Sequence, residues 1–142
     1  AVEGAYQEVP MSQMMIDKCA VAFKQHAVSF KKAYDAGVKI AAGTDYKHGA
    51  LFEELKLMAG YGMPNEKVLQ CATWNAAKML RLDDQIGAIE PGKIADIIVV
   101  KGDPLHDISV MSDIKMVMQN GTIVVEEGRL TPTTSYKFYP IQ

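Results

Sequence analysis

The run Val38-Lys39-Ile40-Ala41-Ala42, closed by Gly43-Thr44-Asp45, constrains the fold more than any other stretch of this chain. It is short, apolar and partly β-branched, as a buried strand is, and it follows a helical pattern that ends at Ala36. Gly37 stands between the two as a natural C-terminal cap. A helix feeding straight into a buried strand is an α/β unit, and in α/β barrels functional side chains stand where strands give way to their C-terminal loops. Asp45 is therefore a candidate site residue. On position alone two roles are open to it: a carboxylate capping the next turn or helix, or a metal ligand and general base. His48, on the same loop, is open to a similar pair, loop or N-cap residue against ligand.

The flanks extend the pattern. From about Ser12 to Ala36, Met15, Ile16, Cys19, Phe23, Val28, Phe30 and Tyr34 recur at roughly helical spacing with lysines between them, which predicts one long helix or two in sequence. Ala50 to Ala59 resumes the helical period, and Gly60 and Gly62 end it. Pro64 suits the start of a further helix running to about Cys71, because its missing N–H costs nothing there. Thr73 suits the N-cap of another, carrying Ala76, Ala77, Met79 and Leu80. From Gly87 onward turns alternate with β-rich runs: Ala95 to Lys101, Ile114 to Gln119 and Thr122 to Glu126, the last two flanking Asn120-Gly121, a strong hairpin signal. Thr131 to Gln142 shows no periodicity and reads as a tail over a surface.

Composition narrows the function classes. The chain is 49% hydrophobic with a net charge of −2, and its 15 lysines and arginines form no long run, so neither a nucleic-acid surface nor a polybasic membrane anchor is expected. No apolar stretch approaches the ~18 residues that a membrane span needs. Cys19 and Cys71 lie in helix-like contexts and read as buried hydrophobes rather than a disulfide or metal pair. The nine methionines suit core filling. His26 falls on a helix and His106 in a turn, and no two histidines have zinc-motif spacing. No signal segment is visible at Ala1, which leaves the compartment open with the cytoplasm favoured.

Taken together, the motifs resemble the C-terminal part of the amidohydrolase superfamily, in its imidazolonepropionase-like and prolidase-like branch. The matching residues are Ala36-Gly37-Val38, Gly43-Thr44-Asp45, His48-Gly49, Glu54-Leu55, Gly62-Met63-Pro64, Ala72-Thr73 and Asn75-Ala76-Ala77. They end with Gly87-x-Ile89-x-x-Gly92-Lys93-x-Ala95-Asp96. The resemblance implies an α/β fold comprising the last strand and helices of a (β/α)8 barrel over residues 1–83, strands of a small composite β-sandwich over 84–130, and a tail over 131–142. It implies that Asp45 is a metal-site carboxylate, and that it shuttles a proton from a metal-activated water to the leaving nitrogen of a small amide or dipeptide. His48 would contact substrate, and the metal would be divalent, usually zinc. In the later signature, Gly92 is expected to relax a turn and Asp96 to hydrogen-bond backbone near a strand start.

The family's His-x-His pair, its lysine or glutamate and its further histidines cannot be placed here, and a complete barrel takes ~250 residues. The chain therefore reads as the C-terminal segment of a larger enzyme, inactive and metal-free alone, that pairs with the missing barrel segment or with itself. The rival reading is a non-catalytic assembly module that keeps the tail of an enzyme fold, against which the intact Gly43-Thr44-Asp45 argues. A flavodoxin-like domain is disfavoured by the lack of a glycine-rich phosphate loop.

Overall fold

The computed structural model describes residues 12–44 and 49–132, which form four α-helices followed by a four-stranded antiparallel sheet. Helix α1 (Gln13–Asp35) is a single helix, since neither glycine nor proline interrupts it. The Ser12 side chain caps its first turn by accepting from the Met15 N–H, and Gly37 leaves its far end at φ 76°. Helices α2 (Leu51–Gly60), α3 (Asn65–Ala72) and α4 (Trp74–Leu80) follow, with Pro64 at the N-cap of α3. Thr73 takes the expected N-cap position of α4 without capping it through its side chain. Its hydroxyl donates back to the Leu69 carbonyl at 2.8 Å, so it closes α3 and leaves α4 without a side-chain cap.

The core is small. Leu55 and Met58 of α2, Met63 between α2 and α3, Val68 and Cys71 of α3, and Ile108 form its buried cluster. Burying each large aliphatic side chain stabilises by about 1.5–3 kcal/mol. Ile108 belongs to a short 3-10 turn (Ile108–Ser112) inside the β-rich half, and Asn65 Nδ2 donates to the Leu105 carbonyl nearby at 3.1 Å. The helices and this turn thus share one apolar centre. Helix α1 joins it only through Phe30 and Tyr34, with Phe30 and His26 each 5.7 Å from the Tyr61 ring, and none of its residues is buried. Ile16, Phe23 and Phe30 recur every seven residues on one stripe of α1, yet Phe23 remains 59% exposed. Cys19 lies on that unpartnered half, which corrects the expectation of two buried thiols: Cys71 is buried and Cys19 is exposed.

The expected buried strand Val38 to Ala42 is also corrected. These residues join no ladder, and Ile40, Ala41 and Ala42 are half-buried. A ladder needs a neighbouring strand, and the described residues offer helices instead: the Ala42 N–H donates to the Cys71 carbonyl at 2.9 Å, and Asn75 Nδ2 donates to the Ile40 carbonyl at 3.1 Å. Ile40 and Ala42 pack against the core while Lys39 stays exposed.

The sheet runs in sequence order through β1 (Ile97–Val100), β2 (Ile114–Gln119), β3 (Thr122–Glu126) and β4 (Arg129–Leu130). Asn120 and Gly121 have φ 47° and 75°, and Gln119 pairs with Thr122, as a two-residue hairpin turn requires. Glu127-Gly128 repeats that device with φ 47° and 72° and adds β4, which the sequence reading did not assign. None of the strand residues is buried, so the sheet has no fully covered face among the described residues.

The glycine- and lysine-bearing signature joins the two halves. Gly87, at φ 89°, sits so close to α4 that a Cβ there would stand 2.6 Å from Ala77 Cβ and 3.2 Å from the Thr73 carbonyl oxygen. Lys93, only 8% exposed along its side chain, sets its Nζ 4.6 Å above the Trp74 ring centroid and 3.0 Å from Glu90 Oε2. Lys78 Nζ also lies over that ring, at 4.5 Å. Gly92 turns at φ 91°, and Asp96 Oδ1 accepts from the Asn120 N–H at 2.7 Å, fastening the hairpin to the start of β1. Gly87→Ala should lower stability by about 1–3 kcal/mol, through the clash with α4 and the left-handed backbone, seen as a lower thermal midpoint by circular dichroism. An unchanged midpoint would contradict this close approach.

Candidate functional site

Asp45 and His48 lie outside the described residues. The described residues on either side of them are the segment that ends in exposed Gly43 and Thr44, and Ala50, buried at the start of α2. The entering segment is held from one side by the junction of α3 and α4. At Thr73 the backbone takes φ −126° and ψ −94°, which interrupts the helical ladder. The last carbonyls of a helix lack intrahelical partners, and that of Cys71 finds one in the Ala42 N–H. One turn on, Asn75 reaches the Ile40 carbonyl and places the same Nδ2 3.8 Å from Cys71 Sγ. A cavity of ≈ 240 Å³ runs beside this contact, lined by Lys39, Ile40, Ala41, Asn75, Lys78 and Met79.

The Cys71 thiol is pushed above its ordinary pKa, chiefly by burial, with the Asn75 contact working the other way. Its nearest sulfur is Met63 Sδ at 3.7 Å, so it sits among core atoms as a small hydrophobe. Among the described residues no three His, Cys, Asp or Glu side chains gather into a group that could hold a metal ion. His26 lies edge-on to Tyr61, and the His106 N–H closes a turn onto the Asp103 carbonyl. The described residues do not by themselves fit a metal centre. Asn75 carried no role in the sequence reading; the one signal was its place in the Asn75-Ala76-Ala77 motif.

No described helix is long and apolar enough to cross a membrane. Residues 9–124 match the profile of the amidohydrolase family. The chain is 35% identical over 104 residues to an adenine deaminase of Desulforamulus reducens, covering 68% of this chain and 17% of that enzyme. It is 34% identical over 110 residues to an imidazolonepropionase of Brevibacillus brevis, covering 70% of this chain and 26% of that enzyme. Among solved structures, a Xaa-Pro dipeptidase with methionine bound in its active site is 47% identical with a TM-score of 0.67, covering 68% of this chain and 25% of that one. The chain thus spans about a quarter or less of the length of these proteins.

A thiol-reactive reagent at neutral pH should modify Cys19 quickly and Cys71 only after unfolding; equal rates would contradict the buried position. Because its folded pKa is raised, Cys71 contributes stability that is fully present below the unfolded thiol pKa and is lost as pH rises through the folded value. Cys71→Ser should lower stability, and the difference from wild type should narrow on the alkaline side.

Proposed function

The chain belongs to the amidohydrolase family, and from that premise we propose that it is the C-terminal segment of a longer enzyme that hydrolyses C–N bonds. What carries the reading is the ordered run of family residues through 9–124, with Gly43-Thr44-Asp45 at the end of a segment gripped by the α3–α4 junction. The named activities of its relatives, a deaminase, an imidazolonepropionase and a dipeptidase, support hydrolysis of an amide, cyclic amide or dipeptide.

In this reading Val38 to Ala42 becomes a barrel strand once its neighbours are present, and β1 to β4 become part of a composite β-sandwich. Asp45 is the carboxylate this chain contributes. As water attacks the carbonyl carbon, Asp45 takes one of its protons and returns it to the leaving nitrogen as the C–N bond breaks. A carboxylate suits both steps, since it is ionised at neutral pH and can hold the proton briefly. His48 contacts the substrate from the same loop. The family is generally metal-dependent, and a divalent ion, zinc by resemblance, would polarise the carbonyl and acidify the water in the complete site. A catalytic zinc needs three protein ligands, so the remaining donors come from the rest of the enzyme.

The same partner covers the exposed apolar surface. Val21 is 70% exposed and Met79 likewise 70%, in addition to Phe23 on the α1 stripe. Large apolar side chains left this exposed suit an interface.

In the longer enzyme, Asp45→Asn should lower kcat by ~10²–10⁴ while metal content by plasma emission stays near wild type or falls with it. Full turnover in that variant would remove Asp45 from the site. The 142-residue chain alone should self-associate, or pair with the rest of the enzyme, and keep no stoichiometric zinc through dialysis. A monodisperse monomer at low micromolar concentration in light scattering would count against the covered-surface reading, and retained zinc against the incomplete site. An intact protein that binds partners but turns over no amide would favour the assembly-module reading instead.

A further inference from the structure

We propose that Asn75 is a positioning residue for the hydrolytic site: its side-chain amide fixes the register of the segment that delivers Asp45, without touching substrate. The inference rests on the reading of Asp45 given above and goes beyond it, because Asn75 lies 35 residues away from its partner in sequence and on a different element.

Two independent constraints act on residues 40 to 42. Packing chooses the face: Ile40 and Ala42 lie against the cluster of Leu55, Met58, Val68 and Cys71, and a one-residue slip would turn Lys39 and Ala41 inward in their place. An ammonium against an apolar core is costly, so the face is secure. Packing does not choose between registers two residues apart, since Ile40 and Ala42 share that face with Val38. Hydrogen bonding makes that choice. The Ile40 carbonyl accepts from Asn75 Nδ2 at 3.1 Å, and the Ala42 N–H donates to the Cys71 carbonyl at 2.9 Å. Cys71 and Asn75 are four residues apart across the Thr73 break, so the two bonds grip the segment at points one alternate residue apart. The backbone half of this grip, at Cys71, cannot be changed by side-chain identity. The side-chain half can, and it is Asn75.

Asn75 is a half-buried amide in the first turn of α4, and its Nδ2 is directed at this segment and at the Cys71 thiol. From Ile40 only Ala41, Ala42, Gly43 and Thr44 precede Asp45, and the two glycine- and threonine-bearing positions carry no buried anchor. The last fixed points before the carboxylate are therefore residues 40 and 42. A shift of about 1 Å there is the kind of displacement that costs about 10²-fold in rate in an oriented site.

The test uses the full-length enzyme with its metal. Asn75→Asp keeps the shape and removes the donor; it should lower kcat ~10- to 100-fold with KM within about threefold. Asn75→Gln, which keeps a donor, should recover part of the loss. Hydrogen exchange read at the Ala42 amide should be faster in Asn75→Asp than in Ile108→Ala, a core variant in the 3-10 turn that weakens the fold from the β-rich half. Ile108→Ala should retain kcat. If Asn75→Asp does not fold, Asn75→Gln and the exchange at Ala42 decide by the same criteria. Wild-type kcat in Asn75→Asp beside an inactive Asp45→Asn overturns the positioning role alone, as does a loss equalled by Ile108→Ala. Wild-type turnover in Asp45→Asn overturns the underlying reading, and this inference with it.

Discussion

The break between α3 and α4 at Thr73 organises this structure. A continuous helix there would keep the Cys71 carbonyl in its own ladder and turn Asn75 to another direction. Because the backbone leaves the helical region at Thr73, the Cys71 carbonyl and the Asn75 amide become available together and hold residues 40 and 42. On its other side the same junction receives Gly87 against Ala77, the Thr73 carbonyl and Trp74, and Lys93 over the Trp74 ring. The segment that leads to Asp45 and the signature that leads to the sheet therefore meet on opposite sides of one short stretch of chain.

That arrangement gives the later signature a physical meaning. Its glycines permit close approach and turning, its lysine binds an aromatic face and a neighbouring carboxylate, and its aspartate fastens a hairpin. None of these contacts is chemistry. They are a joint, and a joint tolerates little change where a single methyl group would enter α4. The pattern of exposed apolar residues is the complement of this: the half of α1 that precedes His26, and the sheet, carry the composition of covered surfaces without a full cover among the described residues.

Much of this was legible in the sequence, for reasons local to the chain. The 3.6-residue period and the Gly37 cap located α1, Asn120-Gly121 located the β2–β3 hairpin, and Pro64 marked the start of α3. Each of these is decided by neighbours within a few residues. The errors share the opposite cause. Val38 to Ala42 has strand composition, but pairing depends on what lies beside it, and here the neighbours are helix ends. Cys19 has the same helical context as Cys71, but burial depends on which half of α1 finds a partner. Thr73 stands at the expected N-cap of α4, but its hydroxyl is taken by the Leu69 carbonyl of the helix before. For the candidate site, Asp45 and His48 could be singled out only by motif, and their positions lie outside the described residues.

The sequence by itself determined the family, the order of helices and strands, the hairpin turn and the residue types that could carry C–N hydrolysis, because periodicity, turn chemistry and motif spacing are written in consecutive residues. Only the tertiary structure decided that the Thr73 break turns Asn75 toward Ile40, that Lys93 lies on Trp74 and that Ile108 shares a core with Leu55. Each of those contacts joins residues 19 to 53 positions apart. Such pairings depend on how whole elements pack, and no local pattern in the chain encodes them.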